Sequence, residues 1–101
     1  MRVVAFSTLV KFWGTHPATR ASLSHWYRVA KAAKWASTQE VMATFPKAKT
    51  LNAERVRFEV AGGGYRLIVA FDFRRQIAYV KFIGTHAEYD LIDAETVEME
   101  S

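Results

Sequence analysis

Residues 62–72 read GGGYRLIVAFD, and this stretch decides the fold. Consecutive glycines make a flexible turn, because glycine adopts backbone angles that other residues avoid. The residues after the turn are rich in branched and aromatic side chains and alternate with a period of two, so they favour a strand. The glycines do not form a nucleotide-binding G-x-G-x-x-G or a P-loop, since a strand follows them rather than a helix. The stretch therefore predicts a β-hairpin.

Strands are also predicted on both sides of this stretch. Before it, Val56, Phe58 and Val60 alternate with polar residues, which is typical of a strand with one buried face. After it, residues 77–83 predict a further strand. In that strand the alternation places Phe82 on the face of Ala78 and Val80, and Ile83 on the face of Tyr79 and Lys81.

The first half of the chain has a helical pattern instead. A short initial strand is predicted at residues 2–6, with Ser7 as the N-cap of a helix over 8–16. Apolar residues at i, i+3, i+4 and i+7 predict a second helix over about 18–34. A capping box, Ser37 to Glu40, introduces a short helix over 38–44. The predicted class is α+β, with helices packed on an antiparallel sheet.

The length of 101 residues predicts one domain, residues 1–101, with an acidic tail that frays from about residue 92. No cysteine is present, which excludes disulfides and thiolate zinc sites. The three histidines lack metal-ligand spacing, so no metal and no cofactor are expected. Without a signal-peptide pattern or an apolar stretch of about 18 residues, we expect a cytoplasmic protein with no membrane partner.

Charge is distributed unevenly along the chain. Residues 1–57 contain ten Lys and Arg but only two acidic residues, whereas residues 58–101 contain four bases and eight acids. A basic half attracts polyanions such as nucleic acid, because phosphate neutralisation releases counterions. The same pattern also fits solvated helix faces, and composition alone leaves both interpretations open.

One group of residues suggests chemistry on a phosphodiester. Arg66 and Lys81 lie on predicted strands, His86 and Tyr89 follow the last strand, and Arg57 lies on the neighbouring strand. Metal-free RNA cleavage needs proton transfer, which an imidazole can perform near neutral pH, and cations that stabilise charge on the phosphate. Period-two alternation allows the three cations to share one face of the sheet, although it does not fix the register. The alternative is that all of these are ordinary surface residues.

Three runs carry a family resemblance: FEV at 58–60, YRLIV at 65–69 and FIGTHAEYD at 82–90. Together they resemble HigB-type toxins of the RelE superfamily. The resemblance implies a RelE-like fold with a short C-terminal helical turn. The residues themselves predict Thr85 as the cap of one last helical turn through Tyr89 and Leu91. It also implies the toxin of a type II toxin–antitoxin pair, which cuts mRNA in the ribosomal A site and is neutralised by a helix-turn-helix antitoxin in a hetero-oligomer.

The resemblance also implies roles for individual residues. Arg66 matches a phosphate-binding and transition-state arginine, Lys81 a basic strand residue, and His86 and Tyr89 a pair assigned to proton transfer and substrate positioning. The products would be a 2′,3′-cyclic phosphate and a 5′-hydroxyl. Few lysines lie in the second half, which leaves the general base open, and a non-catalytic translation inhibitor that binds RNA or the ribosome is the alternative function. The residues expected to contact RNA or the ribosome are Arg57, Arg20, Arg28, Lys31, Lys34, Lys47 and Lys49.

Overall fold

The computed structural model describes residues 1–99. The strands are β1 (Arg2–Val4), β2 (Lys49–Thr50), β3 (Arg55–Val60), β4 (Tyr65–Asp72) and β5 (Ile77–Thr85). The helices are α1 (Phe6–Thr15), α2 (Arg20–Ala32), α3 (Thr38–Thr44) and α4 (His86–Tyr89), with single 3₁₀ turns at Pro17–Thr19 and Ala61–Gly63. No helix among these residues is both long enough and apolar enough to cross a membrane.

The five strands form one mixed sheet in the order β1-β5-β4-β3-β2. Strands β2 to β5 pair in an antiparallel meander, while β1 joins the edge parallel to β5. The β3–β4 hairpin turns at the predicted glycines, where Gly62 and Gly63 have φ values of 72° and 99° that favour glycine. The predicted α+β class is confirmed, although β1 joins the sheet parallel to β5 where an antiparallel sheet was expected.

The hydrophobic core lies between the sheet and α1 to α3. Leu9, Leu23 and Val41 from the helices are completely buried, and they belong to the same cluster as Leu67 and Val69 of the sheet. The inner face is the side of the sheet that these helices cover. Strand alternation sends the intervening residues of β3, β4 and β5 to the opposite side, which is called the outer face below.

Two predicted helix starts have different outcomes. Helix α1 begins at Phe6 with Ala5 as its N-cap, so the prediction of Ser7 as the cap was wrong, and Ser7 lies exposed within the first turn. The initial strand accordingly ends at Val4 rather than at residue 6. The predicted capping box of α3 is confirmed in part: the Ser37 hydroxyl accepts a hydrogen bond from the Glu40 amide, but no return bond from the Ser37 amide to the Glu40 carboxylate occurs within residues 1–99.

A β-bulge at Lys81 changes the expected faces of β5. Ile68 pairs with Phe82, but the next residue, Val69, pairs with Val80, so Lys81 is the extra residue between them. The extra residue reverses the alternation beyond it. Ile83 is therefore buried in the core and Phe82 lies on the outer face, and the prediction for these two positions was wrong.

The acidic tail forms a turn and contacts the sheet in the part that the structure describes. Residues 93–97 form a turn in which the Val97 amide donates to the Asp93 carbonyl over 2.9 Å. Arg55 at the start of β3 donates a further hydrogen bond to the Val97 carbonyl over 2.7 Å. The tail thus packs back against the sheet, while its predicted fraying from about residue 92 stays a prediction; Glu100 and Ser101 lie outside the described residues.

Candidate active site

The sheet register places three of the candidate cations on the outer face. Arg57 pairs with Ile68, and Glu59 pairs with Arg66, so the two arginines point to the same side. Lys81, the bulge residue, lies two positions after Tyr79, and Tyr79 pairs with Ala70 on this same side. Arg57, Arg66 and Lys81 therefore face away from the helices.

Arg66 is held against the glycine turn. It is 8% exposed, and its Nη1 donates hydrogen bonds to the carbonyls of Gly63 and Tyr65, the latter over 3.3 Å. Its Nε has no partner within residues 1–99. Because both acceptors are uncharged carbonyls, the guanidinium keeps its positive charge and is fixed in position near the end of the sheet.

Helix α4 begins where β5 ends, and a reciprocal cap fixes it there. The Thr85 hydroxyl accepts a hydrogen bond from the Glu88 amide over 3.1 Å, and the Thr85 amide donates to the Glu88 carboxylate over 2.8 Å. Hydrogen bonding of the Glu88 carboxylate to the Thr85 backbone amide, and secondly to the Thr85 side chain, lowers the pKa of Glu88 from its ordinary value. The His86 amide also donates to the Gly64 carbonyl over 2.9 Å. The glycine turn that holds Arg66 therefore also anchors the helix that carries His86 and Tyr89.

The His86 side chain is exposed and lies beside a carboxylate. Its Nδ1 is 3.3 Å from Oδ2 of Asp90, four residues further along the chain. A carboxylate at this distance favours the proton on Nδ1, which leaves Nε2 free to accept a proton from a substrate. Sequence reasoning assigned no role to Asp90, although its i, i+4 spacing from His86 was a usable signal.

Tyr89 is half-buried against the outer face. The Arg57 guanidinium lies 5.9 Å from the centroid of its ring, a cation–π distance, and the Phe82 ring lies 6.4 Å away. Ile68 lies on this same face and is completely buried, since α4 packs across β4. The contacts with Arg57 and Phe82 hold Tyr89 in place on the outer face.

Lys81 is paired with the tail. Its Nζ donates to one carboxylate oxygen of Glu98 over 2.6 Å, and Nη2 of Arg55 donates to the other over 3.1 Å. The hydrogen bond from Lys81, with the nearby Arg55 charge, holds the pKa of Glu98 below its ordinary value. Sequence reasoning missed Arg55, although it lies two positions before Arg57 and so on the same face.

The other candidate RNA-binding residues are divided between two surfaces. Lys49 on β2 pairs with Arg57, so it adds a positive charge to the outer face. Lys47 is exposed in the segment between α3 and β2, and it lines a separate cleft beside α2. Four of the candidates are exposed and belong to the helical layer, on the far side of the sheet: Arg20, Arg28, Lys31 and Lys34. The structure thus separates two basic surfaces that sequence reasoning had treated as one.

No group of three His, Asp or Glu side chains that could hold a metal ion occurs among residues 1–99. The side chains near the candidate site that could bind an anion or move a proton are Arg55, Arg57, Arg66, Lys81, His86 and Tyr89. A cluster of cations beside a histidine suits the binding of a phosphate and proton transfer to or from it.

A comparison with protein families decides the identity of the chain. The sequence model of the HigB toxin family, the RelE-like toxic component of a toxin–antitoxin system, matches residues 19–92. The chain belongs to the HigB toxin family. A search of individual curated proteins found no match.

The family assignment agrees with the fold. The α+β sheet and its helices are those of a RelE-like protein, as the resemblance implied. As the toxic component of a toxin–antitoxin system, this HigB-type toxin has an antitoxin as its partner. The matched segment runs from α2 through α4 and contains every candidate site residue up to Tyr89, but it ends before Glu98.

Proposed function

We propose that this HigB-type toxin is a ribosome-dependent endoribonuclease that cuts translated mRNA in the ribosomal A site without a metal ion. RelE-like toxins are generally mRNA-cleaving endoribonucleases, which supports the activity. The observation that carries the proposal is the outer face, where α4 presents His86 and Tyr89 beside a row of cations.

The proposed reaction is an internal phosphoryl transfer. The 2′-oxygen of the ribose attacks the adjacent phosphorus and loses its proton to a base, while the bond from phosphorus to the 5′-oxygen breaks. A proton given to the 5′-oxygen completes the step, which leaves a 2′,3′-cyclic phosphate and a 5′-hydroxyl. No water enters this step as the nucleophile, because the nucleophile belongs to the RNA.

In this scheme His86 performs proton transfer. Its Nε2 is directed away from the Asp90 contact, and Asp90 stabilises the imidazolium that forms when Nε2 takes a proton. Arg66 stabilises the extra negative charge on the phosphate in the transition state, while Lys81, which is paired with Glu98 further along the outer face, binds the RNA backbone away from that phosphate. Tyr89, held between Arg57 and Phe82, positions the RNA by stacking on a base.

The second basic surface suits contact with the ribosome. The cations of α2 and the following residues lie across the sheet from the outer face, so they remain free while the outer face holds mRNA. Nearby ribosomal RNA offers phosphates to this surface, and such contacts orient a protein without reading sequence. We expect the antitoxin to be a helix-turn-helix protein that forms a hetero-oligomer with the toxin.

Primer extension on an mRNA in a purified translation reaction tests the proposal. The wild-type protein should create new mRNA ends that require ribosomes, and His86→Ala should reduce their rate by about 10²–10⁴-fold, the usual effect of losing a proton-transfer group. His25→Ala is the matched control, because His25 is an exposed histidine of α2, in the helical layer. It should cleave at the wild-type rate.

Two results would overturn the proposal. Blocked translation with intact mRNA would assign the protein to the alternative class, a translation inhibitor that acts by occupancy. Equal losses in His86→Ala and His25→Ala would show that the reduced cleavage does not report on the candidate site.

A further inference from the structure

The side chain of Arg55 lies on the outer face, where its guanidinium can bind an anion. It is 9% exposed, and its guanidinium donates to the Ala94 carbonyl over 3.2 Å, the Val97 carbonyl over 2.7 Å and a Glu98 carboxylate oxygen over 3.1 Å. Its backbone amide is fixed by the Asn52 side chain over 2.8 Å. All of the recorded acceptors of the guanidinium come from the tail.

A guanidinium this deeply buried needs acceptors. A desolvated cation without them is strongly destabilising, whereas an anion of suitable shape compensates for the lost water. Arginine binds carboxylate and phosphate with the same planar fork, and lysine binds either as a point charge. When the tail leaves, an anion compensates for the Arg55 charge more strongly than the uncharged Ala94 and Val97 carbonyls do.

Glu98 is the anion in this position now. One carboxylate oxygen binds Arg55, and the other binds Lys81 over 2.6 Å, so the carboxylate bridges the two cations. The side chain of Glu98 is nevertheless 62% exposed, and such exposed ion pairs contribute little to stability. The bridge is therefore displaceable, unlike the buried arginine beneath it.

The surrounding cleft has room for more than a carboxylate. Its volume is about 550 Å³, within the usual range for a small-molecule site. Tyr79 lines it and lies under the Lys81 ammonium, 5.5 Å from Nζ to the ring centroid, so an aromatic ring borders the cation pair. A cation pair beside an aromatic ring is the combination that single-stranded RNA uses, with phosphates on the cations and bases on the ring.

We propose that Arg55 and Lys81 form a second phosphate-binding subsite for the RNA backbone, which Glu98 occupies when RNA is absent. The proposal rests on the proposed function, because it assigns the substrate of the same face. Arg55 pairs with Ala70 on β4, four residues from Arg66, which places this subsite about 13 Å along the strand from the Arg66 position. It therefore takes a different phosphate from the one held near Arg66, and RNA binding requires the tail to leave.

Binding of a 2′-O-methyl hexaribonucleotide, followed by fluorescence anisotropy, tests the subsite. This oligonucleotide cannot be cleaved by 2′-oxygen attack, so its affinity is measured apart from catalysis. Glu98→Gln should bind it about three- to fivefold more tightly, because the competing carboxylate charge is lost. Glu95→Gln is the matched control, since it removes one negative charge from the same tail at an exposed residue with no ion pair among residues 1–99.

Removing a cation of the pair completes the test. In an Arg55→Gln background, Glu98→Gln should no longer tighten binding. The slope of log affinity against log salt concentration should also fall in magnitude by about one. If circular dichroism shows that Arg55→Gln does not fold, Lys81→Gln replaces it, since the lysine side chain is only partly buried. Hydrogen exchange at residues 93–98 should accelerate when the oligonucleotide binds to wild-type protein.

If Glu98→Gln and Glu95→Gln raised the affinity for the oligonucleotide equally, the gain would come from the lower net negative charge alone. That result would overturn the subsite. Unchanged affinity in Glu98→Gln, or slower exchange in the tail on binding, would do the same, because the tail would then be a fixed part of the fold. Failure of the nuclease proposal is distinguishable: the oligonucleotide would still bind with this mutational pattern while no mRNA ends appeared in the translation reaction.

Discussion

Substituting Gly84 with alanine tests how closely the outer face is packed beside α4. Gly84 is buried and pairs with Arg66, and a Cβ added to it would lie 2.6 Å from Cζ of Phe82 and 3.1 Å from Oε1 of Glu88. Both distances are too short for carbon and oxygen contacts. The ring of Phe82 thus occupies the place of a side chain at residue 84, and it cannot move away freely because Tyr89 lies beside it.

We expect Gly84→Ala to lower the free energy of unfolding by about 2 kcal/mol, the usual effect of overpacking. In urea, the unfolding midpoint should fall by about 1–2 M for a domain of this size. Gly14→Ala is the control, because nothing lies within 4 Å of a Cβ at that position in α1. It should instead raise the free energy of unfolding by about 0.5–1 kcal/mol, since alanine favours a helix over glycine.

A double-mutant cycle with Phe82→Leu identifies the source of the loss. The shorter side chain should relieve the clash, so Gly84→Ala should destabilise the Phe82→Leu protein less than it destabilises the wild type. If Gly84→Ala lowered the free energy of unfolding of the Phe82→Leu protein as much as that of the wild type, the clash with Phe82 would be refuted as the cause. A wild-type midpoint for Gly84→Ala itself would refute the close packing altogether.

Two further predictions concern the tail and the cap of α4. The contacts of Glu98 with Lys81 and Arg55 lower its pKa, so they are fully present above the ordinary glutamate pKa and are lost as the pH falls through the lowered value. NMR shifts of residues 93–98 should therefore change in acid, and this transition should disappear in Glu98→Gln; shifts that stay constant in the wild type would contradict the contact. Thr85→Val should remove the cap of α4 and lower the free energy of unfolding by about 1 kcal/mol in urea, as should Ser37→Ala at α3. Only Thr85→Val should also slow mRNA cleavage, and an equal effect of both on cleavage would show that the α4 cap does not position the site.

The sequence predicted the parts of this site that local patterns control. Period-two alternation placed Arg57 and Arg66 on their strands, and the residue types around Thr85 predicted the cap. These predictions succeed because alternation and capping depend on residues within one or two turns of each other.

What the sequence did not predict depends on contacts between distant segments. The bulge at Lys81 follows from the fit of β5 against β4, and no residue type marks it in the sequence, so the faces of Phe82 and Ile83 were predicted wrongly. The pairing of Glu98 with Arg55 joins residues 43 positions apart. A run of acids predicts a solvated tail on composition alone, and only the assembled sheet shows which cations attract it.

The parallel pairing of β1 with β5 has a consequence for the way the protein is made. Arg2 pairs with Ile77, so β1 cannot find its partner until the residues of β5 have been synthesised. Contacts this distant in sequence form slowly, because the intervening chain must first be ordered. The strand that receives β1 also carries Lys81 and leads into His86. A nascent toxin therefore lacks its proposed active site until β5 and α4 have been synthesised.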